Sequence, residues 1–130
     1  MLHLSSAQNN HLKRLKALQE KAKKRRLENA FVIEGLKEIE HAINGGYQLE
    51  TVFVKEDLAS DLSNKISVDT DMISVSSALF ERYCYRKTSK AIAIAQCKSH
   101  GFDTFQHPSK KPFILIAEAP EKPGNIGALL

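Results

Sequence analysis

Several features of secreted, membrane and disulfide-stabilised proteins are missing from this sequence of 130 residues. No apolar run approaches the ~20 residues that a membrane-spanning helix needs. The chain has two cysteines, Cys84 and Cys97, which are too few for a disulfide scaffold. The first ten residues also lack the positive segment followed by an apolar segment that marks a secretory signal. We therefore expect a cytoplasmic protein with reduced cysteines and no membrane partner.

Common catalytic and cofactor motifs are missing as well. Neither of the glycine-rich phosphate loops, G-x-x-x-x-G-K-[ST] or G-x-G-x-x-G, occurs in the chain. Cys97, His100 and His107 lack a fourth ligand and match no zinc spacing, so we expect no metal. No base is marked as a partner for Cys84, and the sequence thus indicates no catalytic cysteine.

Positive charge is concentrated in one short segment. Residues 11–26, HLKRLKALQEKAKKRR, contain eight Lys or Arg residues against one Glu. The segment carries a charge of +7, and because the whole chain carries +4, the remaining residues sum to −3. This asymmetry indicates an anionic partner, either nucleic acid or a membrane surface.

Two interpretations of this basic segment remain open. Its cations either contact nucleic-acid phosphates, which gives salt-dependent binding without sequence preference, or form an ordinary solvated helix face. A membrane-surface or calmodulin-binding helix is disfavoured, because the apolar stripe is narrow and has no aromatic anchor. The candidate phosphate-binding residues are Lys13, Arg14, Lys23, Lys24, Arg25 and Arg26.

A second basic patch occupies residues 84–91, CYRKTSKA. Arg86, Lys87 and Lys90 are interleaved with Tyr83 and Tyr85, a pattern that can hold single-stranded nucleic acid by charge and base stacking. The alternative is a helix C-terminus whose cations interact favourably with the helix dipole.

Predicted strands and helices alternate along the chain. Short β-branched or apolar runs predict strands at 30–35, 51–54, 72–75, 90–97 and 113–119. Predicted helices contain the stripe of Leu12, Leu15, Leu18 and Ala22, the segment from Leu36 to the NGG at 44–46, residues 56–66, and a segment with Leu79 and Phe80 capped by Ser76 or Ser77. This alternation predicts an α/β fold with a mostly parallel central sheet and helices on both faces.

Four stretches resemble the SpoU (TrmH-type) family of RNA ribose 2′-O-methyltransferases, within the SPOUT class. SAQNNHLKRLKAL (6–18) and KKRRLENAFVIEG (23–35) are similar to the family's opening and to its basic residues followed by Phe and Glu-Gly. KTSKAIAIAQ (87–96) lies where the family has Thr-Pro-x-Gly, with Ser89 and Ala91 in place of Pro and Gly. FILIAEAPEKPGNIGALL (113–130) is similar to the first strand and first motif, N-x-G-x-x-x-R, of the catalytic domain.

The resemblance implies a domain organisation and a function. Residues 1–100 would form an RNA substrate-binding domain with the three-layer α/β/α fold of some ribosomal proteins, 101–112 a linker, and 113–130 the start of the methyltransferase domain. Asn125 would be the catalytic residue present, because the motif's arginine would follow Leu130 directly. We therefore expect a piece of a longer homodimeric enzyme that methylates rRNA or tRNA with S-adenosylmethionine. The chain itself would bind RNA without binding the cofactor or catalysing transfer.

The sequence also suggests a role for Glu34 and leaves two alternative functions open. Glu34 is expected to cap the helix that begins near Gly35, where its charge would meet the positive end of the helix dipole. The rival functions are a stand-alone RNA-binding module of the ribosomal-protein type and an interaction domain that only dimerises.

Overall fold

The computed structural model describes residues 2–58, 70–107, 109–119, 126 and 128. The chain divides into two compact units, Met1–Lys98 and Ser99–Leu130. The first unit contains the described sheet and helices, apart from single helical positions at Ile126 and Ala128. The division into domains at residues 100 and 112 stays a prediction.

A mixed five-stranded sheet forms the centre of the first unit. Its strands are β1 (Leu2–Leu4), β2 (Ala30–Glu34), β3 (Leu49–Lys55), β4 (Asp71–Val75) and β5 (Ala91–Gln96). They lie in the order β1-β4-β3-β5-β2. The pairings β1–β4 and β3–β4 are parallel, whereas β5 runs antiparallel to both β3 and β2. The mostly parallel sheet predicted from the sequence is therefore not confirmed, since half of the described pairings are antiparallel.

Four helices belong to the described part of the first unit. They are α1 (Asn10–Glu20), α2 (Ala22–Glu28), α3 (Leu36–Asn44) and α4 (Ser77–Phe80), and a short 3₁₀ turn covers Glu56–Leu58. Asn9 caps α1 by accepting a hydrogen bond from the His11 N–H at 2.9 Å. Ser76 occupies the N-cap position of α4, where the Glu56 carboxylate accepts from the Ser77 N–H at 2.9 Å. Most of the predicted helix 56–66 lies outside the described residues.

Alternating side chains place apolar clusters on both faces of the sheet. On one face, the isoleucines of β5 and Phe53 of β3 pack with Leu12, Leu15 and Leu18 of α1 and with the apolar residues of α4. On the other face, the alanines of β5 pack with Val52, Val54 and Ile39 of α3. The sequence AIAIA of β5 alternates with the two-residue period of a strand, so the large side chains face α1 and the small ones face α3.

Two sequence-based assignments require correction. The apolar stripe of α1 ends before Ala22, because the helix breaks at Lys21 (φ −116°, ψ 106°) and Ala22 is exposed. Residues 113–119 form no strand, and the side chains of Phe113 and Ile116 are about nine-tenths exposed. A strand needs backbone hydrogen bonds to a neighbouring strand, and the described residues supply none to this run.

Across the described part of the chain, no helix combines the length and apolar character that crossing a membrane requires.

Candidate nucleic-acid interface

The break between α1 and α2 is held by Arg25. Its Nη1 donates to the Leu18 carbonyl at 2.7 Å and to the Gln19 carbonyl at 3.1 Å. Carbonyls in the last turn of a helix have no partner within the helix, so the guanidinium satisfies two of them and adds a positive charge at the negative end of the dipole. Arg25 thus has a structural role in addition to its predicted RNA contact.

Arg14 and Lys24 are engaged in an ion-pair network. The Arg14 Nε lies 2.7 Å from Glu28 Oε2, and its Nη2 lies 2.7 Å from Glu50 Oε2. The Lys24 Nζ lies 2.6 Å from the other oxygen of Glu28. Hydrogen bonds from Lys24 and then Arg14 hold the pKa of Glu28 below its ordinary value. These contacts tie α1 and α2 to β3, so less of the charge of Arg14 and Lys24 is available to phosphate.

Three other predicted cations of the basic segment point to solvent. Lys13, Lys23 and Arg26 are exposed and form no ion pair with any described residue. Unpaired cations on a solvated helix face suit phosphate contact, because no internal ion pair must be broken first. RNA contact by all six cations of the segment stays a prediction.

The second basic patch is a loop arranged around Glu34. The two carboxylate oxygens of Glu34 accept from the N–H groups of Tyr85 and Arg86, both at 2.8 Å, and from the hydroxyl of Ser89. Partial burial opposes ionisation, but the bonds from Ser89, Arg86 and Tyr85 hold the pKa of Glu34 below its ordinary value. The carboxylate therefore fixes a loop that begins more than 50 residues further along the chain.

This geometry shows that the capping role predicted for Glu34 is wrong. The Glu34 side chain lies at the end of β2 and turns toward the 84–90 loop rather than toward α3. Glu38 lies beside the N-terminus of α3 instead, where a Cβ added to Gly35 would meet its carboxylate. Gly35 also has a φ of 111°, which side-chain-bearing residues rarely adopt.

A shallow surface cleft of about 560 Å³ is lined by residues from both basic segments, although Arg86, Lys87 and Lys90 are not part of its lining. Its lining includes Arg25 from α2, the end of α1, Glu34, and residues Arg82 to Tyr85 from the loop. The Gln19 side-chain N–H donates a hydrogen bond to the Tyr83 carbonyl at 2.7 Å, which links α1 to this loop. The fold therefore brings residues from the two separate patches to one concave surface.

The charged side chains that line the cleft, Arg25, Arg82 and Glu34, carry a net positive charge. Of the nearby carboxylates, Glu34 is occupied by the loop, Glu81 pairs with Lys55 at 2.8 Å and Glu38 contacts Arg86 at 3.5 Å. Arg82, Lys87 and Lys90 are exposed and have no ion-pair partner among the described residues. Sequence reasoning identified Lys87 and Lys90 but missed Arg82, whose position beside the cleft depends on the fold.

Cys84 has the properties of a structural thiol. It is partly buried beside the apolar cluster and its Sγ donates to the Phe80 carbonyl at 3.4 Å. Burial, reinforced by the nearby Glu34 charge, raises the pKa of Cys84 to about 11. The thiolate that nucleophilic attack requires is thus scarce near neutral pH. Among the described residues, no group of three His, Cys, Asp or Glu side chains is arranged to hold a metal.

Asn125, the predicted catalytic residue, lies outside the described residues, as does Gly127.

The family model of the MRM3-like substrate binding domain matches residues 9–93. The chain belongs to this family. It carries the substrate-binding domain of SpoU-type RNA methyltransferases, as the resemblance implied. The matched segment contains α1, α2, the Glu34-centred loop and the residues that line the cleft. No curated protein sequence matches the chain.

Solved structures resemble this substrate-binding domain over much of the chain. An RNA 2′-O ribose methyltransferase is 30% identical, with a TM-score of 0.75 over 98% of this chain and 49% of that one. An rRNA methyltransferase from Sinorhizobium meliloti is 19% identical, with a TM-score of 0.63 over 75% and 38% of the two chains. The SpoU methyltransferase AviRb from Streptomyces viridochromogenes, in complex with AdoMet, is 19% identical, with a TM-score of 0.63 over 82% and 39%. The chain spans about half the length of the first structure and less than half the length of the other two. The similarity to the last two structures shows the fold alone.

Proposed function

We propose that this chain positions RNA for a SpoU-type ribose 2′-O-methyltransferase that acts on rRNA or tRNA. The observation that carries the proposal is the cleft, in which Arg25 of the basic segment meets Arg82 and the first residues of the second patch, Cys84 and Tyr85. A concave surface with a positively charged lining, built in part from the helices α1 and α2 that carry further exposed cations, suits an anionic RNA. The domain family and the 30% identical RNA methyltransferase support this assignment.

The methyl donor and the catalytic groups would lie elsewhere in the whole enzyme. Two similar structures carry AdoMet, and we propose that S-adenosylmethionine serves the whole protein, a cytoplasmic homodimer. The cleft described above does not suit that cofactor. Its surplus charge is positive, like the sulfonium of the cofactor, and the acceptor oxygens of Glu34 are already occupied. We therefore propose that the chain alone transfers no methyl group, and transfer by the purified chain would contradict this.

Salt dependence of RNA binding tests the proposed function. Replacing Lys13, Lys23 and Arg26 by Gln should weaken binding to a single-stranded RNA. Each lost phosphate contact lowers the slope of log affinity against log salt by about 0.7 for single-stranded RNA, so the slope should fall by about two. The measurement is fluorescence anisotropy across a salt series.

The matched control replaces Lys37, Lys110 and Lys111, which are exposed, by Gln and removes the same charge. It should change the slope much less. An equal change in both variants, or an unchanged slope in the first, would show that the basic segment is only a solvated helix face.

A further inference from the structure

Tyr85 is an aromatic side chain held almost entirely in solvent. Tyr85 is 94% exposed, whereas the nearby Tyr83 is half-buried against the apolar cluster. Single exposed apolar residues are common on protein surfaces. Tyr85 differs because it lines the cleft and is followed along the chain by the exposed cations Arg86 and Lys87.

The backbone beneath this ring is fixed on both sides. The N–H groups of Tyr85 and of Arg86 each donate to Glu34 at 2.8 Å, and the Ser89 N–H closes the turn by donating to the Arg86 carbonyl at 2.9 Å. An aromatic side chain has only two rotatable bonds, so anchoring its backbone leaves little freedom to lose on binding. The geometry therefore presents a preorganised aromatic surface.

The charges around the ring are complementary to a nucleic-acid backbone. Arg82, Lys87 and Lys90 are exposed and form no ion pair with a described carboxylate, although the charge of Glu81 interacts with that of Lys87. Glu34, at the end of β2, keeps its negative charge, but its oxygens face the loop and accept from its three donors there. Phosphates on either side of a nucleotide would meet these cations while its base met the ring.

We propose that Tyr85 stacks on an unpaired base of the RNA substrate, and that the domain selects a loop or bulge rather than a continuous duplex. In a double helix the faces of internal bases are covered by their neighbours, so the ring has a partner only where a base is unstacked. The inference rests on the proposed function and specifies its substrate class. It assigns to Tyr85 a positioning role.

Two variants and two RNAs test this proposal with the whole chain. The RNAs are a hairpin with a loop of about seven unpaired nucleotides, containing 2-aminopurine, and a blunt duplex with the same number of phosphates. Tyr85→Ala should weaken hairpin binding by about 5- to 150-fold, the range for loss of one base–aromatic stack, and should leave duplex binding and the salt slope unchanged. Phe113→Ala, which removes a ring of 91% exposure from the other unit, is the control and should bind like the original chain.

Tyr85→Trp gives a second, direct readout. The chain contains no tryptophan, so the substituted residue would be its single indole fluorophore. Hairpin binding should be retained, and stacking should quench both the indole and the 2-aminopurine, whereas binding of the duplex should leave the indole unquenched.

The outcomes separate this inference from the proposed function. If the original chain binds neither RNA at low salt, both fail. If it binds with a steep salt slope but Tyr85→Ala matches it on the hairpin, or if the indole is not quenched, the stacking inference alone fails. Binding by Tyr85 to a protein instead of a base would give this second result.

Discussion

Glu34 shows, at the scale of one residue, how a carboxylate can organise a cationic surface. Alone, a negative charge would repel phosphate. Here its oxygens are occupied by two backbone N–H groups and a hydroxyl, and these bonds set the conformation of the loop that carries Tyr85, Arg86 and Lys87. A charged acceptor makes stronger hydrogen bonds than a neutral one, so the charge contributes to the order of the loop.

Replacing Glu34 by Gln should loosen this loop. The amide has one acceptor oxygen in place of two and turns an NH₂ group toward backbone N–H donors. We expect the free energy of unfolding to fall by about 1.5–3 kcal/mol, the range for lost hydrogen bonds to a charged group. Hydrogen exchange at the Tyr85 and Arg86 amides should become faster. Glu40→Gln on the exposed side of α3 is the control, and an equal effect of both changes would contradict the role of Glu34.

The stability difference between the original chain and Glu34→Gln should depend on pH. The pKa of Glu34 in the folded chain lies below its ordinary value of 4.5, so the unfolded chain binds a proton more readily. The stabilisation by Glu34 is therefore fully present above about pH 4.5 and is lost as the pH falls through the folded-state pKa. Urea unfolding from pH 3 to 7 should show the difference between the original chain and Glu34→Gln shrinking below about pH 4.5. A difference that stays constant across this range would exclude the mechanism.

At the scale of elements, the junction of α1 and α2 depends on Arg25. The helix could continue through the favourable residues around Lys21, yet the chain leaves the helical conformation there. Arg25 reaches back to the carbonyls of Leu18 and Gln19 and so stabilises the end of α1 after the break. The break turns α2 so that Arg25 lines the cleft.

Arg25→Ala should destabilise the fold, whereas Arg26→Ala should not. Loss of the two bonds to α1 should lower the free energy of unfolding by about 1–2 kcal/mol. Arg26 is exposed on the same helix and its removal should cost less than about 0.5 kcal/mol. Chemical denaturation of the two variants makes the comparison. Equal midpoints would mean that the Arg25 contacts contribute no net stability, and any RNA defect of Arg25→Ala would then reflect binding alone.

At the scale of the whole molecule, the two compact units differ in what stabilises them. Met1–Lys98 contains the sheet and both apolar clusters, whereas the described part of Ser99–Leu130 exposes its apolar run at 113–116. Cooperative stability requires a buried core. The first unit should therefore contain the cooperative transition of the chain.

A chain of residues 1–98 should fold on its own. Its thermal midpoint should match that of the 130-residue chain within a few degrees, because the buried residues of both clusters lie within it. Limited proteolysis of the 130-residue chain should cleave first within 99–119, where the described residues are mostly exposed and form no helix or strand. Circular dichroism and mass spectrometry provide the two measurements. An unfolded 1–98 chain would show that residues after Lys98 contribute to the core.

The sequence by itself determined the local elements and the family. Several features depend only on residues that are neighbours along the chain, and they can therefore be predicted without the fold. These features are the apolar stripe of α1, the apolar runs of β2 to β5, the glycines that end α3 and the two basic patches. The three-residue β1 was missed, because so short a run is defined only by its pairing with β4, some 70 residues away.

Only the tertiary structure decided which of these parts meet. It placed β5 antiparallel between β3 and β2, turned Glu34 to the loop at 84–90, and paired Arg14 with Glu50. Residues 113–119 form no strand in the tertiary structure, although their apolar pattern alone predicted a strand. A strand, an ion pair and a cleft each require a partner that is distant in sequence, and strand order, which no local pattern encodes, fixes where that partner lies.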